Sequence, residues 1–353
     1  MISASDKTAR AEQVNTDSEA ARSWDQLLEP ANGHLLQSYR WGEFKRLHGW
    51  RVERIRTFIN GGDGQAQVLY KHRGPISIGY IPRGPLLTGN DYAPQWTELA
   101  AAIDISAARH RALTTIMEPN VQLDLSSILS ADCLAVGPPH IQPSRTVKVP
   151  LLEDQALLDQ MHQKTRYSVR LAQRRGVEVR EGSEATNSVA AFFSLLEDTA
   201  RRNKFAIHPQ EYYSDFLRVF EEQAILLLAY IDEDIAAGII AARFGVEAIY
   251  MYGGSSTEHR AHGAAFLLQF EAMKWARENG CTRYDLWGIP KDVPQAMSVN
   301  GPRVAATRGA DWRGLYKFKV GFGGEIIEYP PTVERRHRPI LASLARRVTA
   351  LGG

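Results

Sequence analysis

Ile225-Leu-Leu-Leu-Ala-Tyr-Ile231, Asp232-Glu-Asp234, Ile235-Ala-Ala-Gly-Ile-Ile-Ala-Ala-Arg-Phe244, Gly245-Val-Glu247, Ala248-Ile-Tyr-Met-Tyr252 is the stretch that decides the fold. Two short turns divide a long apolar run into three strands, which reads as an antiparallel meander. The loop Gly253-Gly-Ser-Ser256 follows it. From Ala264 to Asn279 the apolar residues Leu267, Phe270, Met273 and Trp275 recur at helical spacing, Gly280 stops the helix, and Tyr284-Asp-Leu-Trp287 reads as the next strand. Between meander and helix lies Arg260-Ala-His-Gly263-Ala-Ala265, whose small residues would let backbone N–H groups at a helix N-terminus face an anion.

The N-terminal half repeats this order. A strand over 51–59, a Gly61-Gly-Asp-Gly64 turn, strands over 66–72 and 76–80, a Pro/Gly loop, a helix over 94–112 and a strand over 113–117 are expected. A duplicated α/β chain of the α+β type follows, with mixed, largely antiparallel sheets flanked by helices. The expected division is a disordered lead-in at 1–23, a first lobe at 24–150 completed by 320–335, a second lobe at 151–319, and a basic tail at 331–353. Its 353 residues, 44% of them hydrophobic, are enough for two cores. No heptad pattern calls for a coiled-coil arm.

Cys133 and Cys281 stand alone in sequence, so neither a disulfide framework nor a zinc site is expected. No apolar run approaches the ~20 residues of a membrane span, and a cytoplasmic protein is expected. The net charge is only +2, yet Lys164 to Arg180 and Arg335 to Arg347 are arginine-dense. Lys164, Arg166, Arg170 and Arg174 fall on one predicted helical face and are candidates for phosphate contacts with RNA. The basic tail is a candidate for an anionic membrane surface.

The R-x-x-G-x-A spacing resembles the pyrophosphate loop of GNAT acyltransferases. Across the whole chain, eight ordered blocks resemble the FemABX family. They are His34-Leu-Leu-Gln-Ser-Tyr-Arg-Trp41-Gly-Glu-Phe-Lys45, Tyr80-Ile-Pro-Arg-Gly-Pro85, Glu118-Pro119, Gln142-Pro-Ser-Arg-Thr146, Lys164-Thr-Arg-Tyr-Ser-Val-Arg170, Tyr250-Met-Tyr-Gly-Gly-Ser-Ser256, Tyr284-Asp-Leu-Trp-Gly-Ile-Pro290 and Leu315-Tyr-Lys-Phe-Lys-Val-Gly-Phe-Gly-Gly324. The resemblance implies two tandem GNAT-like lobes. It also implies transfer of an amino acid from aminoacyl-tRNA to the side-chain amine of the peptidoglycan stem peptide, on lipid II or UDP-MurNAc-pentapeptide. Neither metal nor acetyl-CoA would take part, and the chain would act as a monomer.

By the same resemblance Phe318 and Lys319 flank the reaction centre, with Lys319 stabilising the developing oxyanion. Lys45 would contact the precursor's phosphates, the Arg83 loop would rim the substrate cleft, and Tyr212 and Tyr252 would line it. Some relatives carry arginine where this chain has His208, which replaces a permanent charge by a titratable one. Some place an acid where this chain has Thr88; Asp91 and Asp285 are the other candidate bases. Two alternatives remain open: a CoA-dependent N-acyltransferase, and a non-catalytic RNA- or lipid-binding module.

Overall fold

The computed structural model describes residues 18–59, 62–89, 92–120, 134–182, 187–290 and 312–338. The chain folds into two compact units, one of residues up to Gln142 together with those from Tyr329 onward, the other Pro143–Glu328.

The first unit opens with helices α1 (Ser18–Leu28) and α2 (Tyr39–Leu47), joined by a 3-10 turn over Leu35–Gln37. Strands β1 (Arg51–Ile59), β2 (Gly62–Arg73) and β3 (Ile76–Pro82) form the expected antiparallel meander, and β4 (Leu86–Leu87) pairs with β2. Helix α3 (Tyr92–Arg109) carries the chain over to β5 (Ala112–Glu118), which lies parallel to β3. Its Trp96, Leu99, Ala100, Ile103 and Ala107 form one apolar stripe, packed on Ile55, Val68, Tyr70 and Met117 of the sheet. Strands β6 (Leu134–Val136) and β14 (Val333–Arg336) complete the order β1-β2-β3-β5-β14-β6.

The second unit begins with β7 (Arg145–Pro150), α4 (Asp154–Gln160), α5 (Gln163–Arg174), β8 (Glu178–Glu181), α6 (Ser188–Asn203) and α7 (Gln210–Phe220). The deciding stretch then forms β9 (Ala224–Ile231), β10 (Asp234–Phe244) and β11 (Glu247–Ser255), followed by α8 (Ala264–Glu278) and β12 (Arg283–Gly288). Helix α9 (Trp312–Val320) and β13 (Glu325–Glu328) close the unit, and the strand order is β13-β7-β12-β11-β10-β9-β8. Only β11 and β12 run parallel in this sheet. Leu267, Leu268, Ala272, Met273 and Ala276 of α8 pack on the small residues Ala236, Ala237 and Ala241 of β10, where the absence of bulk lets helix and sheet approach closely. Each unit thus runs meander, crossover helix, parallel strand, within a single mixed sheet.

Three boundaries differ from the sequence-based expectation. Strand β7 belongs to the second unit, because its ladder partners are β12 and β13. Residues up to Glu328 stay in that unit through β13, so the return to the first lobe expected over 320–335 is made only from Tyr329, where β14 then pairs with β5 and β6. Helix α1 starts at Ser18, inside the lead-in expected to be disordered. Among the described residues no helix is long and apolar enough to cross a membrane. Asp91, Cys133 and the arginines beyond residue 338 lie outside the described residues.

The turn between α9 and β13 depends on Gly323, which has φ +85° and no room for a β-carbon against the Gln160 carbonyl. Gly323→Ala is expected to destabilise the protein by about 2 kcal/mol, through both the left-handed backbone and the overlap. Urea or thermal unfolding of the variant beside the wild-type protein measures this.

Candidate active site

In the second unit β11 and β12 are paired only at Glu247/Arg283, Ala248/Tyr284 and Ile249/Asp285. Beyond these pairs β11 continues from Tyr250 to Ser255 with no partner strand on that side among the described residues, and a cavity of about 780 Å³ opens there. Its walls come from the C-terminal half of α6, the His208 segment, β11, the first turn of α8, Trp287 and one face of α9. A bulge on β11, between the Ile240/Tyr252 and Ala241/Tyr250 pairs, places Met251 outside the ladder at this wall.

Phe318 and Lys319 both line the cavity. They reach it from a helix, with Phe318 packed edge-on against Phe266 of α8 at 4.8 Å and against Phe322 at 5.4 Å. Lys319 is only 5% exposed. Its Nζ donates to the Gly288 carbonyl at 2.8 Å and stands 5.4 Å from the centre of the Tyr250 ring. Burial pushes the ammonium down to about 7, with Asp285 pulling the other way. Tyr250 can lie beneath it because residue 253 is glycine: a β-carbon there would overlap the Tyr250 hydroxyl.

The aromatic side of the cavity is built from α7 and β11. Tyr252 lies across Tyr213 at 5.1 Å and across Tyr212 at 6.2 Å, both nearly perpendicular, and a hydrogen bond joins the Tyr212 and Tyr252 hydroxyls. His208 stacks on Tyr212 at 3.8 Å. Burial raises the Tyr212 phenol to about 12, so it stays un-ionised at neutral pH. On this side the cavity is lined by His208, Tyr213, Tyr250 and Tyr252, and Tyr212, expected to line it, lies outside the lining. Sequence pattern alone does not single out Tyr213 or Tyr250, although each stands within two residues of Tyr212 or Tyr252.

The R-x-x-G-x-A loop forms a 3-10 turn over Arg260–His262 and hands over to α8 at Gly263, with φ +78°. A β-carbon at Gly263 would come within 2.6 Å of the Ser168 carbonyl on α5, and Arg175 donates to the Ala261 carbonyl at 2.7 Å. The small residue is needed here for helix packing.

The four cations of α5 divide. Lys164, Arg170 and Arg174 are exposed, with Arg174 near the ring of exposed Tyr167. Arg166 instead donates to the carbonyls of Leu158 and Asp159 at the C-terminus of α4, at 3.4 and 3.2 Å, a stabilising site for a cation. Asp285, the strand-end acid, is fully buried, and its Oδ1 accepts the Trp287 N–H at 2.7 Å.

Lys45 and Arg83 belong to the first unit. Lys45 Nζ lies 5.4 to 5.7 Å from the ring centres of Trp41, Phe44 and Trp50. Burial, followed by repulsion from Lys71, brings it down to about 8. Arg83 does not stand on a rim: it is 2% exposed, and its guanidinium stacks 3.4 Å from the centre of the Tyr329 ring. Thr88 exchanges hydrogen bonds with Asp63 at the start of β2, which occupies its hydroxyl in the fold. Arg335, from the arginine-dense tail, grips Asp104 with two hydrogen bonds of 2.6 and 2.5 Å.

The model of the FemAB family matches residues 132–235 and 232–349. A lipid II:glycine glycyltransferase of Staphylococcus saprophyticus is 26% identical over 377 residues, covering 84% of this chain and 86% of the relative. The crystal structure of FemX superposes with a TM-score of 0.75 at 22% identity, over 91% of this chain and 98% of that one. A tandem GNAT protein of the clavulanic acid pathway gives a TM-score of 0.53 at 12% identity, covering 91% and 96%. The two solved structures share the fold of paired GNAT-like lobes. The chain belongs to the FemAB family and is an aminoacyltransferase.

Proposed function

We propose that the protein transfers an amino acid from aminoacyl-tRNA to the side-chain amine of a peptidoglycan stem peptide, on lipid II or its soluble nucleotide precursor, and so builds the interpeptide bridge without metal or coenzyme. The observation that carries this reading is the buried Lys319, set in the cavity wall beside Phe318 with one N–H on the Gly288 carbonyl. The relative named above, a lipid II:glycine glycyltransferase, supports the acceptor class.

In the reaction the amine nitrogen attacks the ester carbonyl carbon. The new C–N bond forms, the C–O bond to the tRNA ribose breaks, and the proton lost by the amine is restored to the ribose oxygen. Negative charge gathers on the carbonyl oxygen in between. Lys319 is a primary ammonium with N–H groups beyond the one given to Gly288, held where low polarity strengthens its pull on that oxygen. Phe318 offers a flat wall for the terminal adenosine. His208, Tyr213 and Tyr252 line the acceptor side with polar tips on aromatic bodies. In the first unit Lys45 and Lys71 crowd their charges around Trp50, and a phosphate of the precursor would relieve that repulsion. On α5 the exposed Lys164, Arg170 and Arg174 suit the tRNA backbone.

CoA is the weaker alternative, since the Gly263 loop that would cradle a pyrophosphate is braced against the Ser168 carbonyl. Incubating the protein with tRNAs charged with labelled amino acids and lipid II, followed by mass analysis of the lipid product, tests the proposal. Label on the stem peptide is expected; absence of transfer from every charged tRNA, with either acceptor, overturns it. Lys319→Ala should lower kcat by about 10²–10³, as loss of an oxyanion donor does, whereas a binding module would have no activity to lose.

Two further outcomes follow. Below the Lys319 midpoint of about 7 the logarithm of kcat/KM should rise with pH as the acceptor amine loses its proton. Above it the falling fraction of ammonium cancels that gain, so the profile levels; a continued rise would mean that neutral Lys319 acts as a base. Replacing Arg170 and Arg174 together by alanine should reduce the slope of log Kd for tRNA against log salt by about 1.5, read by filter binding.

A further inference from the structure

Among the described residues Asp285 is the one fully buried carboxylate beside the cavity wall that the reaction above leaves without a task. Its Oδ1 accepts two hydrogen bonds, a short one from the Thr146 hydroxyl on β7 and one of 2.7 Å from the Trp287 N–H. Its Oδ2 is buried and has no hydrogen-bond partner among the described residues, with Lys148 Nζ 3.9 Å away. Lys148 itself donates at 2.6 Å to Glu247 of β11, which Arg283 approaches to 3.8 Å. A carboxylate oxygen left so poorly served in the interior is costly unless its charge is used.

The backbone just beyond Asp285 shows the use. Opposite β7, Asp285 faces Lys148 and Gly288 faces Thr146, so β12 carries one extra residue between these pairs. The bulge is taken up at Trp287, a bulky residue held at φ +61°, where side chains rarely sit. The bond from the Trp287 N–H to Asp285 Oδ1 holds that conformation. Its result is to aim the Gly288 carbonyl at Lys319 Nζ, 2.8 Å away.

We propose that Asp285 is the positioning residue of Lys319: with Thr146 it fixes the Trp287–Gly288 turn that takes the lysine's N–H, and it supplies the negative charge that balances the buried ammonium. The proposal rests on the cationic role of Lys319 given above. Asp285 touches no substrate in this scheme; it acts through the carbonyl and through charge. Within this unit the charged groups around it are Lys148 and Glu247 on β7 and β11, Arg283 on its own strand, and Lys319 on α9. Of these, Lys319 alone reaches the cavity.

The test is the pH profile of kcat/KM for wild-type protein and Asp285→Asn. The asparagine keeps an oxygen for the Trp287 N–H but removes the charge. The wild-type break is expected near 7, where burial places the Lys319 ammonium. In the variant it should move down by about one pH unit or more, as expected when a close opposite charge is lost. A lower rate with an unmoved break would show a merely structural residue and overturn the proposal. A wild-type profile with no break would instead overturn the cationic role of Lys319, so the two failures are distinct. Should Asp285→Asn not fold, Thr146→Val serves in its place: kcat should drop by about tenfold with KM unchanged, and Thr146→Ser should restore it. Full kcat in Thr146→Val overturns the proposal.

Discussion

Burying one ammonium group is the constraint on which this site depends. Lys319 stands in the wall of a cavity at 5% exposure, and a charge so placed must find partners among protein groups rather than water. The Gly288 carbonyl takes one N–H, the Tyr250 ring lies under the charge, and the Asp285 carboxylate opposes the loss of its proton. Each partner imposes a condition on the chain in turn. Tyr250 needs glycine at 253, Gly288 needs the bulge in β12, and the helix that carries Lys319 needs glycine at 321, where a β-carbon would overlap the Thr165 hydroxyl. Residues scattered from 146 to 321 are thereby bound to the position of one nitrogen.

The cavity itself follows from strand geometry. Two parallel strands that share only three residue pairs must diverge, and β11 and β12 diverge just where the lining tyrosines begin. The first unit has the same meander, crossover helix and parallel strand, yet its β3 and β5 stay in register from Ser77 to Glu118 apart from one irregularity. The same order of elements thus yields a cavity in one unit and a longer ladder in the other. What differs is how far the parallel pair runs.

Much of the fold was legible because period and punctuation sufficed for it. The three strands from Ile225, the helix from Ala264 and the strand at Tyr284 all stand where turn residues and apolar spacing put them. The lobe boundary was not legible at β7, since Arg145–Pro150 follows the first lobe in sequence but takes its hydrogen bonds from β12 and β13, nearly 140 and 180 residues later. Ladder partners at such separations leave no local mark. Nor could sequence sort the cations. Arg83, Arg166 and Arg335 read as surface charges, but one stacks on Tyr329, one caps α4 and one grips Asp104. Lys319 was legible only through resemblance, because the partners that surround its Nζ come from β11 and β12, more than 30 residues earlier in the chain.

The burial of that ammonium can be read directly by carbon-detected NMR, following the Lys319 ε-methylene signal, assigned by its loss in Lys319→Arg, through a pH titration of the wild-type protein. A midpoint near the value of about 7 set by burial would show the lysine poised as described. A midpoint near ~10.4, the ordinary lysine value, would contradict it, since the group would then be in contact with water and could not be the buried cation on which the transfer depends.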